Sequence, residues 1–326
     1  MKRSMLTRIL AATVLAALGI GAAQAQSADK YPSRQIRLLV PAPPGGPGDV
    51  IARIVGEHMS ETWKQPVVVE NRPGANNITA TDMVAKAAPD GQTLLLTVDY
   101  AMTVNPHVFK SLPYDPIKDF AHISTIANAV CVVVAASGTG IQTFDDLVKQ
   151  SRGRSDGLTV AVGTMTTRLM TERLAELVKG KLSVIPYKGS SESFTAIMGG
   201  HVDLSFAGFT PFKPNVSQGR FNVLASTGRA RSAATPNVPT LEELGYPGFY
   251  TGVWMGLAAP AGTPAAVVQK IGAELNRILA LPEVKDQFNR LGLDPLPSTP
   301  QTTVELIQQE SERWGKIIRE KNIRLD

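Results

Sequence analysis

Short apolar runs alternate with longer helical periods along most of this 326-residue chain, and that alternation restricts it to an α/β architecture with largely parallel sheets. Residues 36–40 read as a buried strand, with further strands over 66–69 and 93–98. Between the first two, Ile51, Ile54, Val55 and Met59 recur at the spacing of one helix face, and Asp49 is placed to cap that helix. A second helix spans 79–88 and ends at Pro89-Asp90-Gly91. A second set begins near Ala129, with strands over 130–135, 158–162, 182–185, 202–206 and 221–225. Its helices cover 143–149, the face marked by Met170, Leu174, Leu177 and Val178, and 193–198. Thr240-Leu241-Glu242-Glu243 has capping-box spacing and predicts a short helix. A strand over 253–258 then returns, followed by Thr263-Pro264 at a helix start and a last helix opened by Thr299-Pro300.

The first residues carry an export pattern. Lys2, Arg3 and Arg8 flank an apolar stretch over 9–23, and Ala23-Gln24-Ala25 is a small-x-small site. This predicts a signal peptide over 1–25, cut after Ala25, and a periplasmic mature chain. The stretch is short for a membrane span. With the peptide go three cations and no acid, which takes the net charge from +5 to +2. So weak a charge gives no reason to expect nucleic acid as a partner. The single cysteine, Cys131, lies in an apolar run and reads as a buried, inert thiol.

Three times a strand runs into a loop rich in Gly, Ser or Thr and on into a helix: VPAPPGGPGDVIARI, VAVGTMTTRLM and VIPYKGSSESFTAI. In an open α/β sheet such loops gather at the carboxyl ends of the strands, where ligands bind. Their helix starts offer free N–H groups to an anion. One such loop is ordinary turn chemistry; three together point to a site at glycines 45, 46, 163 and 189. Nucleotide fingerprints fail, because Ile51 and Thr143 stand where the third glycine is needed. There is no GxSxG elbow, no HExxH and no Cys/His cluster, and His58, His107, His122 and His201 are scattered. No catalytic residue, metal or cofactor is expected.

The runs YPSRQIRLLVPAPPGGPGDVIAR, VVVENRPGANN, AAPDGQTLL, LPYDPIKDF, IPYKG, VPTLEELGYPG and GLAAPAGTP follow one another along nearly the whole mature chain. As a set they resemble the tripartite tricarboxylate transporter receptors, the Bug family of extracytoplasmic binding proteins. The resemblance implies a two-lobed periplasmic-binding-protein fold of type II-like, flytrap form. Lobe 1 would be 26–128 plus 253–326 and lobe 2 129–252, with hinges near 127–129 and 250–253. It also implies a monomeric, non-enzymatic receptor that captures a small mono- or dicarboxylate, aliphatic or aromatic, and passes it to integral-membrane transporter subunits. A periplasmic hydrolase or isomerase on the same fold, or a ligand sensor for a signalling partner, are the alternatives.

By the same resemblance, the first ligand loop falls on Pro43, Pro44, Gly45 and Gly46, and the second on Tyr187, Lys188, Gly189 and Ser190. Gly163, Thr164 and Thr166 match the third loop, and Tyr100 and Arg168 join the candidate set. Two departures stand out. Pro44 replaces the usual Ala and so offers no N–H, and Arg168-Leu169 replaces a His-Leu pair. A guanidinium at 168 is able to grip a second carboxylate bidentately. The plainer alternative is an exposed pair with Glu172, four residues on.

Overall fold

The computed structural model describes residues 30–325 except 210–211, 217, 229, 233–234, 248 and 250–251. The predicted signal peptide and its cut lie outside the described residues, as does part of the second predicted hinge.

The chain opens with β1 (Ile36–Val40), α1 (Pro47–Trp63), β2 (Val67–Asn71), α2 (Ile78–Ala85) and β3 (Thr93–Val98). The three strands pair in parallel in the order β2-β1-β3. Strand β1 is covered on both faces, so its residues sort by parity. Leu38 and Val40 join one core and Leu39 another. Helix α1 starts at Pro47, whose missing N–H costs nothing there, and buries Ile51, Ala52, Val55 and Met59. It stops where Lys64 turns left-handed. Two short helices follow, α3 (Asp99–Thr103) and α4 (Asn105–Val108), which the sequence pattern did not announce.

Strand β4 (Phe120–Ala136) joins the two halves of the molecule. Its first part, from Phe120 to Val130, pairs antiparallel with β9 (Gly252–Pro260), and β9 pairs with β3. Its last part lies between β7 (Leu204–Gly208) and β8 (Phe221–Ser226). The sequence showed only its apolar end, because Ser124, Thr125 and Asn128 interrupt the alternation before it. Beyond β4 come α5 (Phe144–Gly153), β5 (Leu158–Val162), α6 (Met165–Val178), β6 (Leu182–Pro186), α7 (Ser190–Met198) and α8 (Lys213–Val216). The second sheet runs β4-β7-β5-β6, with β5 parallel to both its neighbours.

The expected helix at 240 is a single turn. Its capping box forms, with Glu243 N–H donating to Thr240 Oγ1 and Thr240 N–H to Glu243 Oε2, but Gly245 turns left-handed at once. The chain ends with α9 (Ala265–Ala280), α10 (Pro282–Arg290), β10 (Asp294–Pro295) and α11 (Pro300–Glu320). Helix α9 starts one residue later than expected, with Pro264 as its cap and the Thr263 hydroxyl bonded back to the Pro260 carbonyl. Helix α11 has Thr299 as cap and Pro300 as first residue.

Burial follows the two sheets. One core joins β1, α1, β3 and β9 to α9 and α10 through residues such as Ile51, Leu96, Leu257, Ile271 and Phe288. Another joins β4, α5, β5, α6 and β7 through Val133, Leu147, Val160, Leu174 and Phe206. A smaller cluster spans the two, with Leu169 of α6 among Val104, Val108, Trp314, Ile317, Ile318 and Ile323. Among the described residues no helix is long and apolar enough to cross a membrane.

Candidate functional site

A cavity of about 160 Å³ lies where elements of the two halves meet. Asn76, Tyr100, Val104, Asn105 and Val108 come from the first half, Gly163, Thr164 and Met165 from the second, and Leu325 from the chain end. Tyr100, Gly163 and Thr164 are therefore brought together as the sequence suggested. Asn76, Val104, Asn105, Val108, Met165 and Leu325 were missed. The Asn-Asn pair in the NRPGANN turn was the one legible signal for part of that set, since Asn is the residue that best tolerates such turns.

The strand-to-helix loops after β5 and β6 touch. A side chain at Gly163 would stand 2.5 Å from the Gly189 carbonyl carbon and 2.6 Å from Ser190 N, so only glycine fits. Tyr187 N–H donates to the Val162 carbonyl at 2.9 Å and holds the two loops in register. Thr164 caps α6 in a closed box: Thr167 N–H donates to Thr164 Oγ1 and Thr164 N–H to Thr167 Oγ1, each at 3.2 Å. Thr166 is buried, and its hydroxyl finds no hydrogen-bond partner.

Other candidates lie apart from this cavity. Tyr187 lines a separate, open hollow of about 410 Å³ with Ser191, Glu192, Thr195, Ala196 and His201. Gly189 caps α7 without a side-chain bond, and the N–H of exposed Lys188 donates to Glu192 Oε2 at 3.1 Å. Ser190 is exposed. Pro43, Pro44 and Gly45 are exposed in the β1–α1 loop, and Gly46 caps α1. That loop offers less to an anion than its glycines suggest. Prolines at 43, 44 and 47 have no N–H, and Gly45 N–H already donates to Asp49 at 2.8 Å. Asp49 thus reaches back past its own helix start rather than capping it. Arg53, the Gly45 N–H and Asn71 lower its pKa to about 2.

Arg168 is half-buried on the first turns of α6, with its Nε enclosed and unbonded. It does not pair with Glu172 as the plainer expectation had it. Glu172 is held instead by Lys321, at 3.4 Å. Beneath the cavity, Asp99 is fully buried beside Tyr100; desolvation, then the nearby Glu310, pushes its pKa well above the usual carboxylate range. Cys131 is buried too, and desolvation raises its thiol to about 12. The histidines are dispersed: His107 meets the Ser311 hydroxyl and His122 the Pro116 carbonyl. Among the described residues no three His, Cys, Asp or Glu side chains come together as a metal site.

The model of the tripartite tricarboxylate transporter family receptor matches residues 51–323. BugT of Bordetella pertussis is 32% identical over 323 residues, covering 98% of this chain and 99% of that protein. An R. palustris protein solved with adipate superposes with a TM-score of 0.76 at 28% identity, over 90% of this chain and 99% of that one. MatC from Rhodopseudomonas palustris, with bound malate, gives 0.71 at 29% identity, over 88% and 100%.

Proposed function

Because the chain belongs to the tripartite tricarboxylate transporter receptor family, we propose that it captures a small carboxylate between its lobes and delivers it to a membrane transporter. The observation that carries this reading is the cavity shared by Asn76 and Tyr100 on one side and Gly163 and Thr164 on the other. A ligand there touches both lobes, so its binding energy favours the closed form over the open one. The two similar structures that hold adipate and malate support a carboxylate as that ligand.

The lobes of this reading are 26–128 plus 253–326 and 129–252. Their support is the separate core on each sheet and the run of β4 from the first sheet into the second. Export with cleavage after Ala25 and action as a monomer belong to the same proposal. So do ligand contacts from the loops at 43–46, 163–166 and 187–190 together with Tyr100. Neutral hydroxyl, amide and backbone donors hold an anion without locking it in place, which suits a carrier that must release its cargo. A micromolar dissociation constant needs only about −8 kcal/mol, within reach of a few charge-assisted bonds. Arg168 is the candidate for a second carboxylate.

Isothermal titration with malate, adipate and benzoate, with turnover followed in the same samples, tests the reading. Saturable binding with no product is the expected result; product formation would instead favour a hydrolase or isomerase. If Arg168 meets a second carboxylate, Arg168→Ala weakens adipate roughly ten- to a hundredfold and leaves benzoate within about twofold. Equal losses for both acids would remove that role.

A further inference from the structure

We propose that Asn76 is a ligand-contacting residue of the cavity between the lobes, and that Asn105 is the positioning residue that holds it there. The inference rests on the receptor reading above and adds two residues that lie outside the loops at 43–46, 163–166 and 187–190. Its starting point is the backbone. Ala75, Asn76 and Asn77 have φ of 45°, 50° and 69°, three successive non-glycine residues in the left-handed region. Each such residue is disfavoured for an L-amino acid, Asn least of all, and a run of three persists only where its surroundings over-determine it.

The surroundings do so from the inside. The Asn105 side-chain amide, itself 2% exposed, donates to the Asn76 carbonyl at 2.9 Å. Asn77 N–H donates to the Gly74 carbonyl at 2.9 Å, and the Thr81 hydroxyl to the Asn77 carbonyl at 2.8 Å. The Asn77 side chain is buried near the Tyr100 hydroxyl. Asn76, by contrast, is exposed, so the turn gains no core packing from its side chain. What the strained turn achieves is placement: Asn76 forms a wall of the cavity whose other wall is Gly163, Thr164 and Met165. A carboxamide there is a neutral donor for a carboxylate and an acceptor for a ligand hydroxyl.

Asn76→Gly separates contact from strain. Glycine suits the left-handed backbone, so Tm should hold or rise. Affinity for whichever of malate, adipate and benzoate the wild type binds most tightly should fall about ten- to a hundredfold, as loss of a charge-assisted bond demands. Asn76→Asp keeps the size and the tolerance for this backbone but turns the donor into an anion, and it should bind at least as weakly as Asn76→Gly. Asn105 also lines the cavity, and its amide reaches the Tyr114 hydroxyl at 3.3 Å, so the double variant separates the routes: Asn105→Ala should weaken binding, and adding it to Asn76→Gly should cost nothing further when Asn105 works by holding Asn76. Affinity within twofold of wild type in either Asn76 variant overturns the contact, and additive losses overturn the positioning role. A wild type that binds none of the three acids overturns the receptor reading and this inference with it.

Discussion

Asp49 and Asp99 are both buried carboxyls whose surroundings drive them in opposite directions. Asp49 is surrounded by donors, from Arg53, Gly45 N–H and Asn71, which favour its charged form. Its folded value of about 2 lies below the unfolded value of about 3.9. The stability it contributes is therefore present above the unfolded value and lost as pH falls through the folded one. Asp49→Asn should cost on the order of 2 kcal/mol at pH 7, and denaturant titrations should show the gap to wild type narrowing from pH 5 to pH 2. Asp99 faces Glu310, Tyr100 and Cys131 with one oxygen unbonded, and burial dominates. With a folded value raised above the unfolded one, its favourable contribution is complete below about pH 4 and declines as pH rises. Asp99→Asn removes that decline, so its stability relative to wild type should increase between pH 4 and pH 8. A parallel pair of stability curves over that range would count against a titrating Asp99.

At the scale of elements, the motifs that depend on spacing alone were the ones the sequence could convey. Gly163 and Gly189 stood out because a strand-to-helix turn needs small residues, and their loops do touch. The box at Thr240 was read correctly as a cap, but nothing in four residues tells that only one turn follows. Helices α3 and α4 hid in DYAMT and NPHV, too short for any period to show. The turn at Asn76 was legible, but its place in the cavity and the part played by Asn105 were not, for another reason. One depends on a φ value and the other on a contact across 29 positions, and composition records neither. Caps also give a clean separation of stability from binding. Thr143 caps α5 in a complete box with Asp146 and does not line the cavity, so Thr143→Ala should cost about 1 kcal/mol and leave ligand affinity unchanged. Thr164 caps α6 at the cavity wall, so Thr164→Ala should cost about the same stability and weaken binding as well. Thr164→Ser, which keeps the capping oxygen, should recover most of both. Thermal melts and titrations of the three variants check this, and equal binding loss in Thr143→Ala would mean that affinity simply follows stability.

For the whole molecule the question is what closes it besides the ligand. Leu169 of α6 is fully buried with Trp314, Ile317, Ile318 and Ile323 of the C-terminal segment, which the division proposed above places in the other lobe. One turn further along α6, Glu172 meets Lys321 at 3.4 Å, with side chains 20% and 40% exposed. On that proposed division these contacts bridge the lobes, and they should then bias the open–closed balance even before a ligand arrives. Half-exposed ion pairs contribute about 0.2–1 kcal/mol, so Lys321→Glu, which sets two acids face to face, should weaken ligand binding about two- to fivefold at low salt. High salt should shrink that loss, because the partners are not fully shielded from ions. Small-angle scattering should find the unliganded variant more expanded than wild type, with saturating ligand restoring the compact form. Exchanging both charges, Glu172→Lys with Lys321→Glu, rebuilds the attraction in reverse and should return affinity to near wild type. If the exchanged pair stays as weak as the single variant, the two charges do not act on each other, and closure rests on the apolar contact around Leu169 and on the ligand alone.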